Sequence, residues 1–215
     1  MSKLFGCRIV GRYACFTQPF AKCDRVSYPV PTPSAIRGVL SAIYWKPEMN
    51  WQIHRIEVLK RPQYISVKKN EIHDLTHDKN IKNDIPVDVL QHRTQRNNQI
   101  LYDVAYNIYA TIRLENQTSD INKHNEIFNR RLRNGQHHHQ PYLGQKEYTA
   151  LVSTIDDNWS SINLNISIPN MLFDVYFDDK RSHPIYFDAD VKNGVLEIDP
   201  GLYNQMNWES SREKH

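Results

Sequence analysis

Glycine and cysteine are scarce in this chain of 215 residues, at seven and three. So few glycines among so many aromatic residues exclude a low-complexity or disordered chain. Cys7, Cys15 and Cys23 form no Cys-x-x-Cys pair and leave one thiol over. Their spacing supports neither a disulfide framework nor a zinc ribbon, and small apolar thiols in a reducing, cytoplasmic setting are the expectation. No apolar run approaches the ~20 residues of a membrane span. Arg8 and Arg12 interrupt the one N-terminal stretch that could serve as a signal h-region. The chain also lacks a Gly-x-x-x-x-Gly-Lys-Ser/Thr loop, a Gly-x-Ser-x-Gly elbow and any internal repeat, which removes the commonest nucleotide-phosphate and serine-nucleophile chemistries.

What is present is enough apolar material for a core and a very uneven charge. Forty per cent of residues are hydrophobic, and twelve tyrosines with seven phenylalanines favour strands. Residues 1–69 hold twelve Lys or Arg against three Asp or Glu, a net of +9. Residues 171–215 hold five against nine, a net of −4. A basic half beside an acidic end suits a polyanion bound on one face.

The elements read in order. Residues 3–16 are an expected strand, and Pro29, Pro31 and Pro33 keep the next segment extended. In SAIRGVLSAIYWK, Ile36, Val39, Leu40 and Ile43 fall at i, i+3, i+4 and i+7, an amphipathic helix. Thr32 or Ser34 caps it, and Tyr44 and Lys46 are expected in its last turn before Pro47. Strands are expected at 51–60, 63–69, 101–115 and 149–155, with residues 70–100 a long polar insertion or loop. A second helix is expected with Ile127, Phe128 and Leu132 inward. Ser119, Asp120 or Asn122 is its cap and Asn134-Gly135 its stop.

That order, β-α-β-β-α-β, predicts an α+β ferredoxin-like core over 1–155, the RRM-like frame of RNA-recognition modules. Residues 156–215 are expected to add a small antiparallel β extension, with a hairpin turning at Asn193-Gly194 and a loose tail after about 201.

One stretch concentrates the chemistry. INKHNEIFNRRLRNGQHHHQPYLGQ, residues 121–145, carries Lys123, Arg130, Arg131 and Arg133 against one acid, Glu126. His137, His138 and His139 are consecutive, so their side chains diverge, and no metal site is expected. RNA cleavage needs less: a group to take the 2′ proton, a group to give one to the departing 5′ oxygen, and a cation at the phosphoryl oxygens. Histidine suits the proton work and lysine the charge. Lys123 and His124 stand at the expected helix N-terminus, where backbone N–H groups attract phosphate and two neighbours can face one cleft. Alone, the pair is equally a solvated basic surface, and Tyr44 alone is equally a core-edge residue.

Three blocks carry a resemblance: residues 11–47 (GRYACFTQPFAKCDRVSYPVPTPSAIRGVLSAIYWKP), residues 93–112 (RTQRNNQILYDVAYNIYATI) and NKHNEIFNRRLRNGQ…PYLG. In order and spacing they resemble the CRISPR-associated Cas-five family, d variant, of subtype I-C systems, over most of residues 4–155. The resemblance implies a RAMP-type ferredoxin-like core. It implies metal-independent cleavage of CRISPR repeat hairpin RNA to a 2′,3′-cyclic phosphate, without cofactor. The crRNA 5′ handle would stay bound in a Cascade complex with backbone and large subunits. Tyr44, in its Tyr-Trp-Lys-Pro setting, and the Lys123–His124 pair match the family's catalytic positions. His124 would transfer protons, Lys123 would clamp phosphate, and Tyr44 would orient the 2′-hydroxyl.

Lys22, Arg25, Arg37 and Lys46 would track RNA phosphates, with Arg130, Arg131, Arg133 and the histidine run beside them. Tyr28 and Trp45 would stack on unpaired bases. In NGQHHHQPYLG, histidines stand where relatives often carry arginine, so phosphate binding there is expected to weaken as pH rises above about 6.5. Other branches grip the handle without cutting, which is the alternative function. A metal-dependent nuclease built on the histidines is a third reading, and duplex DNA is a further partner that kinship leaves open.

Overall fold

The computed structural model describes residues 4–21, 23–72, 90, 93–114, 120–177 and 181–205. Its elements run β1 (Phe5–Ala14), α1 (Pro33–Ile43), β2 (Met49–Val58), β3 (Gln63–Ile72), β4 (Arg93–Leu114), α2 (Ile121–Arg133), β5 (Leu151–Ser153), β6 (Ile166–Phe177), β7 (Ser182–Lys192) and β8 (Val195–Glu197), closing on a 3₁₀ turn at Pro200–Gln205. The eight strands form one antiparallel sheet in the order β5-β1-β4-β2-β8-β7-β6, with β3 paired to β4 off that path.

Alternation along the central strands divides the sheet into two faces. Phe5, Cys7 and Ile9 of β1 and Tyr106, Ile108, Ala110 and Ile112 of β4 turn into the core that both helices cover. The opposite face is polar. There Arg8 donates to Asn107 Oδ1 (3.2 Å), Asn107 donates to Glu57 (3.1 Å), and Asp156 pairs with the Arg8 guanidinium. Arg8 and Asn107 are buried, so this chain of partners is what makes their desolvation tolerable.

α1 forms where the apolar stripe predicts. Thr32 Oγ1 accepts from the Ala35 N–H (3.2 Å), and Ile36, Val39, Leu40 and Ile43 are buried. The helix ends earlier than expected. Tyr44 has extended backbone (φ −153°, ψ 125°), and its carbonyl accepts from the Trp51 indole (3.0 Å). Tyr44 and Lys46 therefore follow the helix rather than occupy its last turn. α2 is capped by Asp120, whose side chain accepts from the Asn122 N–H (2.9 Å), and Gly135 leaves it with φ +63°. Phe128 anchors α2 against Trp51 and Phe5, with ring centroids at 4.7 and 5.3 Å.

Three expectations need correction. β3 reaches Ile72 and β4 begins at Arg93, so the flanks of the polar stretch 70–100 pair as a two-stranded ribbon; residues 73–89, 91 and 92 lie outside the described residues. The ribbon is braced by Arg96–Glu71 (3.2 Å) and by Lys69 donating to Gln145 (2.9 Å). The strand expected at 149–155 is only Leu151–Ser153. After residue 156, β8 pairs with β2, and one core cluster runs from Phe5 to Tyr203. Tyr203 lies in the stretch expected to be loose, yet it is buried. Its hydroxyl accepts from the Ile53 N–H (2.5 Å) and donates to the Ile53 carbonyl (3.0 Å), serving the edge of β2 beyond the end of β8. The Asn193-Gly194 turn is as expected, with φ of +50° and +76°.

Gly144 shows how tightly the loop after α2 is seated. Its φ is +84°, and a Cβ there would stand 1.9 Å from the Cys15 carbonyl oxygen. Gly144→Ala should cost more than about 2 kcal/mol, because backbone, not a flexible side chain, must move. Urea unfolding of the variant beside wild type measures it.

Candidate active site where the two helices meet

The end of α1 and the first turns of α2 come together, and with them two residues eighty positions apart. Tyr44 Oη lies 3.0 Å from His124 Nδ1, with ring centroids at 5.9 Å. Glu48, on the turn after Pro47, places Oε1 3.8 Å from His124 Nε2. The Arg131 guanidinium lies 5.3 Å from the Tyr44 ring centroid and donates to the Ile43 carbonyl (2.7 Å). His138 and His139 donate backbone N–H groups to the Ala42 carbonyl at 2.7 and 3.4 Å. The last carbonyls of α1, which have no partner within the helix, are thus served by Arg131 and the histidine run.

Burial decides what this pair can do. Tyr44 is 2% and His124 6% exposed. Burial first, and then the Glu48 carboxylate, raise the Tyr44 phenol above the ordinary tyrosine range; Arg131 opposes them. A phenol shifted this way stays protonated at neutral pH, a hydrogen-bond donor rather than a base. With a carboxylate facing Nε2, the neutral imidazole favours a proton on that nitrogen, leaving Nδ1 to accept from the Tyr44 hydroxyl.

Lys123 goes elsewhere. Both it and His124 lie inside the first turns of α2, where neighbours diverge by about 100°. His124, Phe128, Arg131 and Leu132 lie on the side toward α1 and the sheet. Lys123, Glu126, Ile127, Arg130 and Arg133 line an open groove of about 730 Å³ on the other side. The Lys123 backbone N–H donates to the Asp120 carbonyl (3.2 Å), while its side chain makes no hydrogen bond or ion pair to another described residue. The single cleft expected for both residues is replaced by two faces of one helix.

The other sequence candidates separate by burial and pairing. Trp45 is 46% exposed, Lys46 is exposed, and Arg130, Arg133, His137, His138 and His139 are exposed. His137 and Arg131 also line a cavity of about 160 Å³ with Ile43, Gln140 and Leu151. Arg25 is half-exposed and lies 3.8 Å from Glu71. Two residues are not available as expected. Tyr28 is buried, so its ring offers no stacking face to a base. Arg37 makes a two-pronged pair with Asp174, at 2.7 Å each, because β6 passes beside α1. Lys22 lies outside the described residues. Glu48 was missed, and no spacing rule separates it from any acid after a Pro. Among the described residues no cluster of three His, Cys, Asp or Glu could hold a metal, and no helix is long and apolar enough to cross a membrane.

With this geometry in place, comparison with known proteins is informative. Residues 7–174 match the family model Cas_Cas5d, described as CRISPR-associated protein (Cas_Cas5). A protein of Thermus thermophilus named CRISPR pre-crRNA endoribonuclease Cas5d is 36% identical over 218 residues, covering 93% of each chain. One of Mannheimia succiniciproducens with the same name is 38% identical over 210 residues, covering 89% of this chain and 93% of its own. Two solved structures share the fold at 24% identity. One is a functionally uncharacterised protein from Streptococcus mutans (TM-score 0.68, 93% of each chain), the other a CRISPR-associated protein (TM-score 0.67, 92% of each). With a family match from residue 7 to residue 174 and relatives aligned nearly end to end, this chain belongs to the Cas5d family of CRISPR-associated proteins.

Proposed function

We propose that this chain is an endoribonuclease that cuts CRISPR repeat hairpin RNA without a metal and keeps the crRNA 5′ handle within a type I-C Cascade complex in the cytoplasm. The observation that carries the reading is the 3.0 Å contact between Tyr44 and His124, made across eighty residues inside a family whose curated relatives are named as pre-crRNA endoribonucleases. The neighbouring strand order β5-β1-β4-β2, with both helices on one face, supports a ferredoxin-like core over 1–155, with residues 156–215 as its β extension.

In this reading the ribose 2′-oxygen attacks the adjacent phosphorus and the bond to the 5′ oxygen breaks, leaving a 2′,3′-cyclic phosphate and a 5′-hydroxyl. His124 takes or returns the travelling proton. Tyr44, held protonated, orients the 2′-hydroxyl, since a raised phenol serves better as donor than as base. Lys123, with Arg130 and Arg133 along the outer groove of α2, holds phosphate next to the cut.

A second reading, a subunit that binds the handle without cutting, is favoured by one observation: the hydroxyl and imidazole lie beneath the surface, at 2% and 6% exposure. One gel separates the two. Hairpin repeat RNA is incubated with excess EDTA beside an analogue carrying a single 2′-deoxyribose at the cut site. Cleavage of the first and survival of the second supports the nuclease. No cleavage of either supports the binder. Cleavage abolished by EDTA supports a metal enzyme.

The exposed run His137–His139 gives a separate expectation. Repeat RNA should bind more tightly at pH 6 than at pH 8 at one salt concentration, because a protonated imidazole attracts phosphate and a neutral one does not. Equal affinities at the two pH values remove any phosphate role for the run.

A further inference from the structure

We propose that Glu48 is a positioning residue for His124, completing a Tyr44–His124–Glu48 relay in which the carboxylate fixes which imidazole nitrogen carries the proton. The inference rests on the reading of Tyr44 and His124 as the cleaving pair. A neutral imidazole has one donor and one acceptor nitrogen, and a buried one must be told which is which. Tyr44 addresses Nδ1 at 3.0 Å and Glu48 addresses Nε2 at 3.8 Å, so the ring is bracketed from both sides. The three come from three different segments: the residue after α1, the turn that leads into β2, and α2.

Glu48 is placed for this and nothing else. It makes no other hydrogen bond or ion pair among the described residues. The turn carrying it is closed by the Met49 N–H donating to the Lys46 carbonyl (3.1 Å), and the wholly buried Met49 side chain anchors the turn to the core. The Glu48 side chain is 32% exposed against 7% for that of His124. The carboxylate therefore keeps contact with water while facing a ring that water hardly reaches. At 3.8 Å it stands a rotamer step, or one bridging water, from a hydrogen bond. The charged groups facing the pair are Glu48 from the turn and Arg131 from α2, the latter over the phenol. When the phenol oxygen takes the ribose proton as its own passes to His124 Nδ1, Glu48 is the group that stabilises the imidazolium, as the third member does in other nucleophile–base–orienter arrangements.

The test uses the full chain as wild type, Glu48→Gln and Glu48→Asp. Nitrogen-15 NMR of the His124 ring reads the tautomer directly, without RNA. Wild type should carry its neutral proton on Nε2. Glu48→Gln, which keeps shape and removes charge, should blur that preference. Glu48→Asp should stay close to wild type. Cleavage of repeat hairpin RNA should lose about tenfold at the wild-type optimum in Glu48→Gln and little in Glu48→Asp. A Glu48→Gln protein whose His124 tautomer and cleavage rate match wild type overturns the proposal. Wild-type cleavage by Tyr44→Phe would instead overturn the assignment of the pair, with the NMR comparison still judging what Glu48 does to His124.

Discussion

Tyr44→Phe and His124→Ala should each slow cleavage of repeat hairpin RNA by at least about 100-fold, the ordinary worth of one positioned proton-handling group. The phenylalanine variant is the more telling, because it removes one oxygen and leaves the ring under Arg131. It also leaves Nδ1 of a 6% exposed imidazole without its partner, which costs about 1–3 kcal/mol of stability. Folding loss must therefore be separated from chemical loss. Single-turnover rates at saturating protein, taken well below the melting temperature of each variant, make that separation. Lys123→Ala should behave differently. It leaves the buried pair untouched, so it should weaken RNA binding and flatten its salt dependence by about one phosphate contact. Cleavage by both ring variants within about threefold of wild type would leave the Tyr44–His124 contact a structural one and the handle-binding reading in place.

Arg37→Ala should destabilise the fold by about 3 kcal/mol, the lower part of the range for breaking a buried pair. The arginine side chain is 34% exposed, but Asp174 is only 4% exposed and loses both of its 2.7 Å guanidinium bonds. Among the described residues Asp174 keeps only its hydrogen bond from the Val175 N–H (2.8 Å), too little to satisfy a carboxylate out of water. In a chain of this size the loss corresponds to about 6–12 °C in melting temperature. Removing the stranded charge as well, in Arg37→Ala/Asp174→Asn, should recover part of it. The sequence reading offered Arg37 as a tracker of RNA phosphates. On that view Arg37→Ala would melt like wild type and reduce the salt dependence of RNA binding. Scanning calorimetry and a salt titration on the same variant decide between the two.

Local rules carried some elements well and failed where distant chain arrives. The α1 stripe, its Thr32 cap, the Gly135 stop of α2 and the Asn193-Gly194 turn all follow from interactions within a few residues, so a single stretch of sequence contains their cause. The β3–β4 ribbon does not announce itself. A two-stranded arm keeps much of both faces near water and needs no strong apolar alternation, so Asn, Gln, Lys and Arg there read as loop. The fates of Tyr28 and Arg37 are set by β6, more than 130 residues away. Convergence of Tyr44 on His124 was legible through kinship. The early end of α1, the divergence of Lys123 and the approach of Glu48 depend on where Trp51 and Pro47 send the chain, and no periodicity records that.

Three donors from beyond the first turns of α2 grip the final carbonyls of α1: Arg131 at Ile43, and His138 and His139 at Ala42. Sliding one helix past the other would have to rupture all of them together, besides unseating Phe128 from its aromatic neighbours. The spacing between phenol and imidazole is thereby insulated from the breathing of the outlying strands. A ribbon or a peripheral hairpin can fray, swing or be remodelled by a binding partner while the two rings keep their separation, much as a clamped joint holds its gap when the arms beyond it flex.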